Sequence, residues 1–164
     1  MHPDMTPEMT VQTDSVAQTR QLAASLAKHV RLPAVVALSG QLGAGKTHFI
    51  KGLGEGLGLN PDKICSATFV LIAEYGEHPR LVHIDAYRLD KPQELENIGW
   101  YELLEEPDVM IADEWAERIA PVLPAERIDI QIEILDDHRR QFTIRPYGQN
   151  QVAAITQTLA DGLT

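Results

Sequence analysis

The stretch Gly40-Gln41-Leu42-Gly43-Ala44-Gly45-Lys46-Thr47 constrains this chain more than any other. It reads G-x-x-x-x-G-K-[ST], the spacing of a phosphate-binding P-loop. Gly43 and Gly45 carry no Cβ and tolerate positive φ, so successive backbone N–H groups can converge on a phosphate. Lys46 adds a point charge between terminal phosphates, and the Thr47 hydroxyl can ligate Mg²⁺. A helix beginning here adds its own free N–H groups and dipole to the anion site.

The flanks fit the motif. Ala34-Val35-Val36-Ala37-Leu38 is a short apolar run suited to a buried parallel strand. After the loop, Phe49, Ile50, Leu53 and Leu57 follow helical spacing, with Gly58 as the expected C-cap. Gly52, Gly54 and Gly56 weaken that helix by propensity.

The rest of the chain reads as alternating elements. Residues 1–12 are expected to be a loose end. Thr13-Asp14-Ser15 offers caps for a helix whose stripe is Val16, Leu22, Ala23, Leu26, Ala27 and Val30, closed by Pro33. Phe69–Tyr75 and Leu81–Asp85 read as strands. The short Gly76–Pro79 turn between them implies an antiparallel hairpin. Residues 92–106 read as helical with a break at Gly99. Val109–Ala112 reads as a buried strand, followed by a short helix at 116–119. Ile128, Ile130, Ile132 and Ile134 alternate along a half-exposed strand. A last strand spans 141–145 and a closing helix 149–161. The expected fold is α/β: one domain over 1–164, with a P-loop NTPase core whose mixed sheet joins a parallel core to antiparallel strands and is flanked by helices.

Composition narrows the function classes. The net charge is −10, and residues 85–118 carry eleven acids against three bases. A chain so poor in Lys and Arg is an unsuitable stand-alone nucleic-acid binder, because phosphate contacts need them. The acidic block reads as a solvated face or as a docking face for a basic partner. Cys65 is the single cysteine, which excludes an internal disulfide and suits a reducing, cytoplasmic setting. No apolar run reaches membrane-spanning length, and residues 1–14 lack a secretory h-region, so neither membrane nor export is expected.

A P-loop enzyme also needs a carboxylate at the end of a core strand to hold Mg²⁺, and another can position the attacking water. Leu81-Val82-His83-Ile84-Asp85 ends in one acid, and Val109–Ala112 runs into two, Asp113 and Glu114. Adjacent strand residues point to opposite faces, so these two cannot both face the loop, and pattern alone does not choose between them. Asp85 competes with a role as a helix N-cap or a partner of Arg88, and Asp113 is expected to cap residues 116–119. His83 should share the face of Asp85 and could orient it, or be structural. Trp115 reads as a packing residue. Thr68 is an ordinary strand residue or a hydroxyl near the terminal phosphate.

The order Gly43-Ala44-Gly45-Lys46-Thr47, Ser66-Ala67-Thr68-Phe69, His83-Ile84-Asp85-Ala86-Tyr87-Arg88-Leu89, Glu114-Trp115 resembles the TsaE family of bacterial P-loop ATPases. These act in forming N6-threonylcarbamoyladenosine in tRNA. The resemblance spans about residues 13–135, and the H-x-D-x-Y-R-L stretch with Glu-Trp makes it specific. It implies that Gly43, Ala44, Gly45, Lys46, Thr47 and His48 hold ATP phosphates and that Thr47 and Glu114 bind Mg²⁺. It implies catalytic roles for Asp85, Lys46 and the switch-like Thr68, with Trp115 beside the site and residues 13–19 near the nucleobase. The implied partners are TsaD and TsaB, with tRNA reached through that complex. Two positions depart from the family pattern: Ala67 where proline is frequent, and His48 where a second threonine is frequent.

Rival readings remain. A small-molecule kinase would need an arginine-rich lid, for which Arg118, Arg127, Arg139 and Arg140 are the available residues. A GTPase would need an N-K-x-D motif, which is absent. A third reading is a nucleotide-binding subunit that does not hydrolyse.

Overall fold

The computed structural model describes residues 7–41, 43–64 and 72–162, and of Arg88 the backbone alone. Seven strands form one sheet in the order β1-β7-β6-β2-β5-β4-β3. They are β1 (Met9–Thr13), β2 (Ala34–Gly40), β3 (Ile72–Gly76), β4 (Arg80–Asp85), β5 (Val109–Glu114), β6 (Arg127–Ile134) and β7 (Arg140–Tyr147). β2 lies parallel to both β5 and β6, and β4 lies parallel to β5. The β3–β4, β6–β7 and β1–β7 pairs are antiparallel. The mixed sheet and the β3–β4 hairpin are therefore as the sequence implies.

Helices cover one face: α1 (Val16–His29), α2 (Lys46–Gly56) and α4 (Gln149–Asp161). Leu22, Leu26, Phe49, Ile50, Leu53, Leu38, Met110 and Phe142 form the core there. The opposite face of β4, β5 and β2 is covered by a 3-10 segment at Pro92–Ile98, α3 (Trp100–Leu104) and a 3-10 segment at Ala116–Val122. Val35, Ile84, Leu95, Trp100, Ile111 and Ile119 form this second core. The break expected at Gly99 is real, with φ +81.

Local chemistry sets the element ends. Ser15 caps α1 by accepting from the Gln18 N–H at 3.1 Å. Asp161, at the end of α4, accepts from His29 Nε2 at 2.6 Å and Ser25 Oγ at 3.0 Å, which ties α4 to α1.

Three expectations change. Met9–Gln12, read as part of a loose end, belong to β1, which completes the sheet edge against β7. The apolar face of β6 stops at Ile132, and Ile134 is exposed. The glycines of α2 are close-approach residues: a Cβ on Gly52 would lie 2.5 Å from the Arg20 carbonyl oxygen, and one on Gly56 would lie 2.4 Å from that of Ala24. Residues 65–70 and Leu71 lie outside the described residues, so the β-rich run is described from Ile72.

Among the described residues, no helix is long and apolar enough to cross a membrane.

Candidate functional site

The loop between β2 and α2 stands at the carboxyl end of β2. Gly43 and Gly45 take φ of +81 and +107, and the space a Cβ would occupy at each is open. Backbone N–H groups can therefore approach a bound anion there without side-chain obstruction. Gly45 is also the N-cap of α2, so the first free N–H groups and the positive end of the helix face the loop. Ala44 is buried and Thr47 half-buried at the first turn.

Lys46 is buried, and its ammonium donates to the carbonyl oxygens of Gly40 at 2.6 Å and Gln41 at 3.1 Å. Its Nζ also lies 4.2 Å from the centroid of the Trp115 ring, a cation–π contact. Burial lowers the Lys46 pKa, while the charges of Glu114, Glu117 and Asp85 work in the opposite direction. Trp115 takes φ +59, a left-handed conformation that bulky residues avoid. This turn out of β5 lays the indole over Lys46 and against Tyr87, whose ring centroid is 5.1 Å away. Trp115 is thus more than a packing residue, because it touches the P-loop cation directly.

Strand register settles which acids share the site. Asp85 on β4 is level with Glu114 on β5, and Glu114 is level with Leu38 on β2. Leu38 belongs to the helix-covered face. Asp113 is level with Ile84 and Ala37, and Ile84 belongs to the second core. Glu114 therefore faces the loop and Asp113 faces away. Asp113 does not cap residues 116–122: Trp115 occupies that position, with no side-chain cap bond. Asp113 is fully buried, and among the described residues neither carboxyl oxygen has a hydrogen-bond partner. Burial alone holds its carboxyl well above the usual carboxylate range.

Asp85 is half-buried and accepts from the Tyr87 N–H at 3.0 Å, so it does cap the 3-10 turn at Ala86–Arg88 while standing at the site. His83 orients Glu114 rather than Asp85, with His83 Nε2 2.8 Å from Glu114 Oε2. The structure thus brings Lys46, Asp85 and Glu114 to one end of the sheet, beside Thr47. Thr68 lies outside the described residues. The Thr47 hydroxyl and Glu114 carboxylate are hard oxygen donors of the kind Mg²⁺ takes, and they stand beside a cradle suited to phosphate.

A cavity of about 240 Å³ adjoins the loop, lined by Ser15, Val16 and Thr19, by Gly43, Ala44, Gly45 and His48, and by Asp137, His138 and Arg140. Segment 13–19 thus supplies one wall, with three lining residues. The β6–β7 turn supplies another that the chain order gives no hint of. Arg140 donates from Nε to the Ala44 carbonyl at 3.1 Å across 96 positions of sequence. His48 is exposed, and its pKa is lowered by partial burial, then by Lys51, Arg20 and Arg140. A larger cavity of about 480 Å³ lies at the opposite ends of β4 and β5. Arg80 there is paired with Glu74 and Glu106. Among the described residues, none of the loop between β2 and α2 lines it.

Comparison with known proteins shows the family. The family described as "Threonylcarbamoyl adenosine biosynthesis protein TsaE" matches residues 13–142. The chain belongs to the TsaE family. The relative from Streptomyces coelicolor, named tRNA threonylcarbamoyladenosine biosynthesis protein TsaE, is 38% identical over 86% of this chain and 99% of its own length. TsaE of Treponema pallidum is 41% identical over 67% of this chain and 80% of its own. The crystal structure of Bacillus subtilis YdiB superposes with a TM-score of 0.78 at 30% identity, covering 96% of this chain and 97% of that one. The TsaE match ends near Phe142, so it takes in both the strand-end acids and the β6–β7 turn.

Proposed function

We propose that this protein binds ATP with Mg²⁺ at the P-loop and hydrolyses it, slowly when alone, to support formation of N6-threonylcarbamoyladenosine in tRNA. The whole chain acts as one ATPase domain in the cytoplasm, together with TsaD and TsaB, and meets tRNA through that complex. Membership in the TsaE family supports the pathway. The convergence of Lys46, Asp85 and Glu114 on one end of the sheet supports the chemistry, since the three contribute charge at the same end of the loop.

The residues take these roles. Backbone N–H groups from Gly43 to His48 cradle the phosphates. Lys46 leaves the Gly40 and Gln41 carbonyls to neutralise the terminal phosphates. Thr47 and Glu114 hold the metal. Asp85 accepts a hydrogen bond from the attacking water and aligns it, and Thr68 supplies a switch hydroxyl. The cavity between residues 15–19 and Arg140 accommodates the nucleoside. Bound Mg²⁺·ATP supplies the transferable phosphoryl group and the metal's charge.

The arginines weigh against a kinase lid. Arg118 bonds the Leu89 carbonyl and lies over Tyr87, Arg127 pairs with Asp129, and Arg139 pairs with Asp136. Arg140 bonds carbonyls at Ala44, Asp136 and Arg139. The test is ATP turnover measured by phosphate release. Lys46→Ala and Glu114→Ala should each lower it by about 100-fold or more, the scale seen when charge-stabilising groups are removed. Turnover equal to wild type in both variants would instead favour a non-hydrolysing subunit.

A further inference from the structure

We propose that His83 is a positioning residue: it fixes one oxygen of Glu114, keeps that carboxylate off Lys46, and so presents the other oxygen to Mg²⁺. The inference rests on the reading of Glu114 as a metal ligand. His83 lies on β4 level with Ala112, two residue pairs before the Asp85–Glu114 pair and on the same face. The small Ala112 side chain leaves the imidazole space to reach diagonally to Glu114. His83 is fully buried and the Glu114 side chain nearly so, at 7% exposure. A carboxylate only accepts, so Nε2 carries the proton of the 2.8 Å bond.

Two observations separate this from a histidine that merely fills the core. First, Nδ1 is buried with no hydrogen-bond partner among the described residues, where the ring's one polar contact is with Glu114. A ring kept for packing alone would leave no polar atom unsatisfied if it were apolar. Second, Lys46 and Glu114 do not form an ion pair, although the Glu114 charge is the largest raising influence on Lys46. Among the described residues Lys46 bonds backbone carbonyls and Glu114 bonds His83, and Glu114 Oε1 accepts nothing. A glutamate free to rotate would swing toward the nearby ammonium, which would block phosphate and metal together. The imidazole N–H prevents that and leaves Oε1 available. Residues that hold a metal ligand in this way commonly govern metal affinity by about 10- to 100-fold when removed.

The test is equilibrium binding of the non-hydrolysable analogue AMP-PNP to the full chain, in EDTA and across a Mg²⁺ titration, with thermal melts to establish folding. His83→Leu should bind AMP-PNP in EDTA more weakly than wild type, because the freed Glu114 carboxylate pairs with Lys46, and its half-saturating Mg²⁺ should rise by about tenfold or more. His83→Gln, whose amide Nε2 can donate to the same oxygen, should recover most of that loss. Should the leucine variant lack a cooperative melt, His83→Met gives the same donor-free comparison. A folded donor-free variant with wild-type Mg²⁺ dependence overturns the proposal, as does a glutamine variant no better than leucine or methionine. Glu114→Gln is the control. If it too leaves Mg²⁺ dependence unchanged, the error lies in the reading of Glu114, whereas loss in Glu114→Gln alone places the error at His83.

Discussion

Lys46 and Glu114 face the same loop, yet each is held by another group, the lysine by two carbonyls and an indole, the glutamate by an imidazole. On the proposed function, that separation keeps a cation and an anion ready for a ligand carrying both phosphate and metal. The neighbouring Asp113 has the opposite fate, since strand alternation turns it into hydrocarbon. Its folded-state pKa is raised by burial, so the folded protein keeps a proton that the unfolded chain releases near the ordinary carboxylate value. Its contribution to stability is therefore intact below that value and is lost as pH rises toward the folded pKa. Asp113→Asn does not titrate, so it should gain on wild type between about pH 5 and about pH 8. Melting temperatures of both proteins at the two pH values measure this, and a difference that stays constant would contradict it. At this scale the sequence was legible for Lys46, Thr47 and Asp85, because motif and strand end each point to one residue. It was not legible for Glu114 against Asp113, since only cross-strand register, or family resemblance, tells which face looks at the loop. Arg140 carried no local signal, because its contact with Ala44 depends on the β6–β7 hairpin folding back across the sheet.

At the scale of elements, α2 shows why propensity misled. Gly52 and Gly56 cost helix stability by themselves, but they let α2 lie directly on the backbone of α1. Propensity alone would make Gly52→Ala stabilising by about 1 kcal/mol. Contact with the Arg20 carbonyl and Ala23 Cβ reverses the sign, and the substitution should destabilise by about 1–3 kcal/mol, the usual range for overpacking. Urea unfolding of the two proteins decides the sign, and a more stable alanine variant would show that α1 and α2 can separate at no cost. Most elements were legible because their periodicity is strong: the α1 stripe, the β2 apolar run, the alternation in β6 and the short turn before β4. β1 was missed because five residues give little periodicity. Its existence depends on pairing with β7, more than a hundred residues away.

The whole molecule divides its surface between a phosphate cradle and an acidic flank. Asp90, Glu96, Glu102, Glu105 and Asp108 are exposed on the layer that includes α3, together with Ile98 and Tyr101. An acidic surface with apolar side chains among the charges suits a basic protein surface better than tRNA. Replacing Glu96, Glu102 and Glu105 together by lysine should abolish pull-down of TsaD and TsaB while ATP affinity stays within about twofold, because rim charges act mainly on encounter with the partner. Undiminished pull-down would move the docking surface elsewhere. Service of the P-loop in tRNA modification is tested most directly by multi-turnover formation of N6-threonylcarbamoyladenosine in a reconstituted TsaD–TsaB assembly. Wild-type protein should sustain repeated turnovers, and Lys46→Ala should leave the assembly as it is without this protein. Repeated turnovers with Lys46→Ala at the wild-type rate would contradict the account.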